Sequence, residues 1–154
     1  HAMPLFKKIL APTDFSDNAA AAIRLAAKVA EECHGELYVI HVVDSSRLRY
    51  AVREGMLTGE DTDDSVSHKT QVEADRRLAE ELVRIGDGIV PSVSSALFGE
   101  PWRTIVDYVE THGIDLIVVG RRGVTLADVM LGSVAERVIR HAPCPVLVTK
   151  RTGA

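Results

Sequence analysis

Leu37 to Val43 reads LYVIHVV, a run broken by one strongly polar residue, His41, and without the alternation of a strand that keeps one face in water. An apolar run of this kind needs cover on both faces, which is the setting of a strand inside a parallel sheet. Parallel neighbours must be joined by long crossovers, usually helices, and the chain supplies them. Further strands are expected at Phe6 to Leu10, ended by Ala11-Pro12; at Ile89 to Leu97; at Leu116 to Val119; and at Val146 to Thr149. Ser92, Ser94 and Ser95 interrupt the third strand, as suits an edge or near-edge position. Between the strands, apolar residues recur at helical spacing. Asn18 to Cys33 carries Ala22, Ile23, Ala26, Ala27, Val29 and Ala30 and stops at His34-Gly35. Val66 to Ile85 is expected to set Val72, Leu78, Ala79, Leu82, Val83 and Ile85 on one side, with Gly86 and Gly88 ending it. Pro101 suits the first turn of a helix that turns Ile105, Val106, Tyr108 and Val109 inward and stops at His112-Gly113. Ser133 to His141 is the last helix, closed by Ala142-Pro143-Cys144-Pro145.

Strands alternating with helices predict an α/β fold: a doubly wound, five-stranded parallel sheet with helices on both faces. One domain is expected over residues 1–154, with His1-Ala2 set aside as a cloning remnant. Right-handed crossovers and a topological switch put a ligand crevice at the carboxyl ends of two central strands. If strand one lies beside strand four, Asp14 and Gly120 face each other across it.

Asp115 to Arg140, DLIVVGRRGVTLADVMLGSVAERVIR, carries the most chemical information. An apolar strand runs into Gly120 and Gly123, then on to Gly132 and Ser133. Glycines allow close backbone approach, and a helix start offers free N–H groups to an anion. Ser133 with Glu136 fits a capping box. Such spacing serves a phosphate site and an ordinary strand-to-helix turn equally well.

Composition narrows the function classes. A net charge of −4 and a pI near 5.9 argue against a nucleic-acid partner, which needs a basic face. No apolar run approaches the ~18 residues of a membrane span, and no signal peptide is read, so a cytoplasmic protein without a membrane partner is expected. Cys33 and Cys144 share no motif spacing and read as packed, reduced thiols. Asp44 to Ser65, with its acidic cluster Glu60 to Asp64, matches no calcium loop and reads as a solvated connection, long enough to be a lid or partner surface. The histidines share no metal-ligand spacing, so no metal site is expected.

These segments together resemble the universal stress protein family over essentially the whole chain. KKILAPTDFS, IHVVD, DLIVVGRRG and GSVAERVIRHAPCPVLV match it in order and spacing. The resemblance implies strand order 3-2-1-4-5 and, in the nucleotide-binding branch, a signature of Gly, two residues, Gly, nine residues, then Gly and Ser or Thr. Gly120, Gly123, Gly132 and Ser133 fit it with one departure, since only eight residues, Val124 to Leu131, separate the last two glycines. By resemblance, Gly123, Gly132, Ser133 and Val134 would hold phosphates. Asp14 and Gly120 would meet the ribose, while Pro12, Thr13 and the backbone of Val42 would border the adenine; Val119 completes the set. A carboxylate such as Asp14 can accept from ribose hydroxyls, although its local sequence also suits a turn.

The implied ligand is ATP, with Mg²⁺ on the phosphates, and AMP or cyclic AMP as alternatives. The implied role is a stress-response sensor or switch. A non-binding dimeric scaffold and a slow ATPase or phosphotransferase are the other readings. No catalytic residues are assigned: the chain has no Walker lysine motif, kinase signature or G-x-S-x-G elbow. Asp14 and Asp128 are the acids that could orient a water. Trp102 is expected to pack rather than stack on a base, and His41 to be a hydrogen-bonded core histidine. The short apolar strand Val146-Leu147-Val148 should lie at a sheet edge and join a homodimer there.

Overall fold

The computed structural model describes residues 4–46, 64–121 and 131–150. Five strands alternate with four helices among them: β1 (Lys8–Pro12), α1 (Asp17–Cys33), β2 (Glu36–Asp44), α2 (Asp64–Ile85), β3 (Val93–Gly99), α3 (Pro101–His112), β4 (Leu116–Val119), α4 (Ser133–His141) and β5 (Val146–Val148). All pairings are parallel, and the order is β3-β2-β1-β4-β5. The doubly wound sheet, its order and the placing of β3 and β5 at the edges are as the sequence implies.

Two apolar layers cover the sheet. One joins Ile9, Ala11, Val39 and Val118 to α1 and to Leu78 and Ile85 of α2. The other joins Leu10, Ile40, Ile117 and Val119 to α3 and to Val138 of α4. Consecutive residues of β1 thus enter opposite layers, which explains why the strands are apolar without alternation.

β1 runs through Pro12 instead of stopping at Leu10. The Thr13 N–H donates to the Ile40 carbonyl on the β2 side, whereas Lys8 receives the Asp115 N–H on the β4 side. Even-numbered residues of β1 therefore face β4, whose pairing with β1 ends at Leu10 and Ile117. The missing N–H of Pro12 falls where the two strands have already parted and interrupts no ladder. That parting is the topological switch.

Helix α2 corrects the expected face. Its buried residues are Ala74, Leu78, Glu81 and Ile85, while Val72 and Val83 are 55% and 82% exposed and Ala79 is also exposed. At 3.6 residues per turn, Val72 and Val83 fall on the far side from Ala74. Glu81 enters the stripe because Arg84 Nη2 and Nε reach its carboxylate at 2.6 and 2.9 Å. The Asp44 to Ser65 connection lies mostly outside the described residues.

Helix α4 corrects the expected cap. Gly132, at φ −60° and ψ 155°, is the N-cap, and among the described residues no side chain caps it. Ser133 is the first helical residue, so the capping box does not form. Glu136 instead pairs with Arg140 at 3.0 Å. Gly35 is needed for another reason than helix termination. His34 takes the left-handed cap at φ 53°, while a Cβ on Gly35 would lie 2.8 Å from the Phe6 carbonyl.

Candidate functional site

The parting of β1 and β4 opens a cavity of about 200 Å³ at the carboxyl ends of the central strands. Five separated segments reach it, and four of them carry expected residues. Pro12 ends β1, and Thr13 and Asp14 follow it; Val42 comes from β2; Val119 ends β4 and Gly120 follows it; Gly132, Ser133 and Val134 open α4. Every expected nucleotide contact within the described residues thus lines one cavity. Gly123 lies outside them, as do Arg122, Asp128 and the shortened glycine loop except Leu131.

The turn after β1 is tied down locally. The Thr13 carbonyl accepts from His41 Nδ1 at 2.7 Å, and its Oγ1 accepts from the Phe15 N–H at 3.0 Å. Asp14 Oδ1 accepts from the Ser16 N–H at 3.0 Å, and Ser16 Oγ caps α1 by accepting from the Ala19 N–H at 3.1 Å. Asp14 itself stands exposed at the rim. His41 is half-buried and hydrogen-bonded, as expected for a structural histidine.

On the opposite wall, α4 presents its first turn. The N–H groups there have no intrahelical acceptors, and the helix dipole favours negative charge. With Gly132 as the cap, no serine side chain occupies those donors. The arrangement suits an anion at the mouth of an otherwise largely apolar cavity.

Gly120 has a structural duty besides. A Cβ there would meet the Asn18 carbonyl oxygen at 2.4 Å and the Ala19 nitrogen at 2.9 Å. The start of α1 packs directly on this glycine, so its presence is explained without a ligand.

Sequence reasoning missed seven of the sixteen residues in the wall. Ser16, Asn18 and Ala19 of the α1 start, Pro101 and Ile105 of α3, and Ala135 and Val138 of α4 also line the cavity. The spacing of Pro101 and Ile105 shows that they share a helix face, but only the packing of α3 against α4 says what that face meets. Trp102 stays out of the lining: its ring stacks on His141 at 4.7 Å, and Nε1 donates to Glu100. Cys144 is half-buried, and burial, with Asp115 adding, raises its thiol pKa, so it is a poor nucleophile at neutral pH.

A larger groove of about 570 Å³ lies at the other end of the sheet, between α1 and the turn before β3. Volume alone would choose it. The chemistry favours the first cavity, which combines the topological switch with a helix start, whereas the second is walled by opposite charges, Arg24 and Lys28 against Glu31 and Asp87.

A family model described as the Universal stress protein family matches residues 5–150. Universal stress protein MJ0531 of Methanocaldococcus jannaschii is 38% identical over 148 residues, spanning 96% of this chain and 84% of the relative. Universal stress protein MJ0577 of the same organism is 31% identical, spanning 97% and 98%. The solved structure of MJ0577 superposes with a TM-score of 0.73 at 30% identity, covering 99% of this chain and 100% of the other. A universal stress protein from Archaeoglobus fulgidus, solved in complex with dAMP, superposes with a TM-score of 0.62 at 25% identity, covering 96% and 100%.

Proposed function

The chain belongs to the universal stress protein family, and from that premise we propose that it is a cytoplasmic, ATP-binding regulatory protein of the stress response. The observation that carries the reading is the convergence of Pro12 to Asp14, Val42, Val119-Gly120 and Gly132 to Val134 on one cavity. Adenine sits between Pro12, Thr13 and the backbone of Val42. Asp14 and Gly120 meet the ribose. Gly123, Gly132, Ser133 and Val134 hold the phosphates, with Mg²⁺ riding on them and not in a protein cage. The site acts as a sensor; the sequence carries no Walker lysine motif of the kind that brings a lysine to the β/γ-phosphates in true NTPases. The dAMP complex of the Archaeoglobus fulgidus relative favours an adenine monophosphate as the second reading.

Mass spectrometry of nucleotide released on denaturing the purified protein separates these readings, with thermal shift as support. ATP with Mg²⁺ at a hundred times its dissociation constant should stabilise the fold by about 2.7 kcal/mol. At roughly 2–4 °C per kcal/mol for a domain of this size, the melting point should rise by about 5–10 °C. A shift with AMP and none with ATP selects the monophosphate; no shift with either leaves a scaffold without nucleotide. Steady phosphate release lost in Asp14→Ala, with binding intact, would make the protein an enzyme.

The two sheet edges differ. On the β3 edge, Asp75 accepts from the Ala96 N–H and Gln71 donates to the Ala96 carbonyl, so the mid-strand groups are taken. On the other edge Leu147 of β5 is 39% exposed, its side chain on the sheet face opposite to that of Val146 and Val148. A homodimer paired through Val146, Leu147 and Val148 follows from that asymmetry. Light scattering at micromolar concentration should give twice the chain mass; a monomer refutes the pairing.

A further inference from the structure

We infer that Phe15 is a positioning residue for the rim of the cavity: its ring, held between His41 of β2 and Arg77 of α2, fixes the turn that aims Asp14 and so couples α2 to the ligand site. The inference deepens the nucleotide reading above, and its ligand arm rests on that reading.

Phe15 adopts φ +67°, a left-handed conformation that bulky side chains avoid. Such conformations persist where the surroundings over-determine them, and they gather at ligand sites. If the turn needed only its shape, glycine or asparagine would adopt it more readily. The aromatic ring points to a second demand. It lies 4.2 Å from the His41 imidazole, tilted by 40°, and the Arg77 guanidinium carbon stands 4.4 Å from its centroid on the other element. His41 is fixed in turn: a carbonyl can only accept, so Nδ1 carries the proton that bonds Thr13, and the tautomer is set. Bonds from backbone N–H groups to side-chain oxygens then join the four residues Thr13 to Ser16 into one unit. The Phe15 N–H is held by Thr13 and the Ser16 N–H by the Asp14 carboxylate. Releasing the ring from its stack frees Phe15 to leave the left-handed region, and Asp14 swings with it.

Arg77 is exposed, so replacing it opens no hole in the core. Amide hydrogen exchange of the ligand-free protein reads the turn directly, and calorimetry with ATP and Mg²⁺ reads the site. In Arg77→Gln, exchange at Phe15 and Ser16 should quicken and the ATP dissociation constant should rise, each by about two- to five-fold, the size of an exposed cation–π contact. Arg77→Lys and Phe15→Tyr, which keep a cation or a ring, should restore both. Unchanged exchange in Arg77→Gln, or Arg77→Lys as impaired as Arg77→Gln, overturns the inference. A parent protein that binds no ATP sinks the nucleotide reading instead, and the exchange result then decides this one alone.

Discussion

Replacing Ile117 by alanine is expected to lower the unfolding free energy by about 2–5 kcal/mol, the range for emptying a large aliphatic site in a packed core. Ile117 is fully buried in β4, paired with Leu10 on one side and Val146 on the other. Its side chain belongs to the layer that α3 and α4 cover, with Ile40, Ile105, Val109 and Val138. Strands on both sides and helices above leave little room for the cavity to collapse, which argues for the upper half of that range. At roughly 2–4 °C per kcal/mol, the melting point should fall by about 5–20 °C. Ile117→Val keeps most of the volume and should cost about 0.5–1.5 kcal/mol. Chemical denaturation of both variants checks this, and an alanine cost below that of valine would show that the layer is not packed as described.

Gly120→Ala is expected to strike stability and ligand binding together. The new methyl would overlap the Asn18 carbonyl oxygen and carbon at 2.4 and 2.5 Å, and both are backbone atoms that cannot rotate away. Either β4 or the start of α1 must move. Overpacking of this kind costs about 1–3 kcal/mol. Asn18 and Ala19 also line the cavity, so the same displacement widens or skews it. We expect ATP affinity to fall by at least about ten-fold, equivalent to ~1.4 kcal/mol. Unfolding curves and calorimetry on one preparation check both effects. A variant with parental stability would show that α1 does not rest on this glycine. Lost stability with intact affinity would reduce Gly120 to a packing residue.

The contrast between these two positions marks how far the sequence could be read. Ile117 lies in the unbroken apolar run Leu116 to Val119, and burial on both faces follows from that pattern alone. Gly120 is legible as a glycine that matters, but the sequence offers a nucleotide's ribose as its reason, by resemblance, while the structure adds the backbone of Asn18. Ser133 shows the same limit: S-x-x-E fits a cap, yet the cap falls one residue earlier, at Gly132, and Glu136 turns to Arg140. On α2 the fault was arithmetic: Val72 and Val83 are apolar, but the helical period puts them opposite the buried stripe.

By itself, then, the sequence determined the order of strands and helices and the cover on both faces of the sheet. Those properties are written in local periodicity, which burial imposes residue by residue. Only the tertiary structure decided the rest: that α3 and α4 wall the cavity, that Gly120 carries the start of α1, that Phe15 is pinned between β2 and α2, and that Gln71 and Asp75 of α2 cover the β3 edge at Ala96. Each of these depends on two segments meeting from far apart in the chain, and no local pattern records the distance between them.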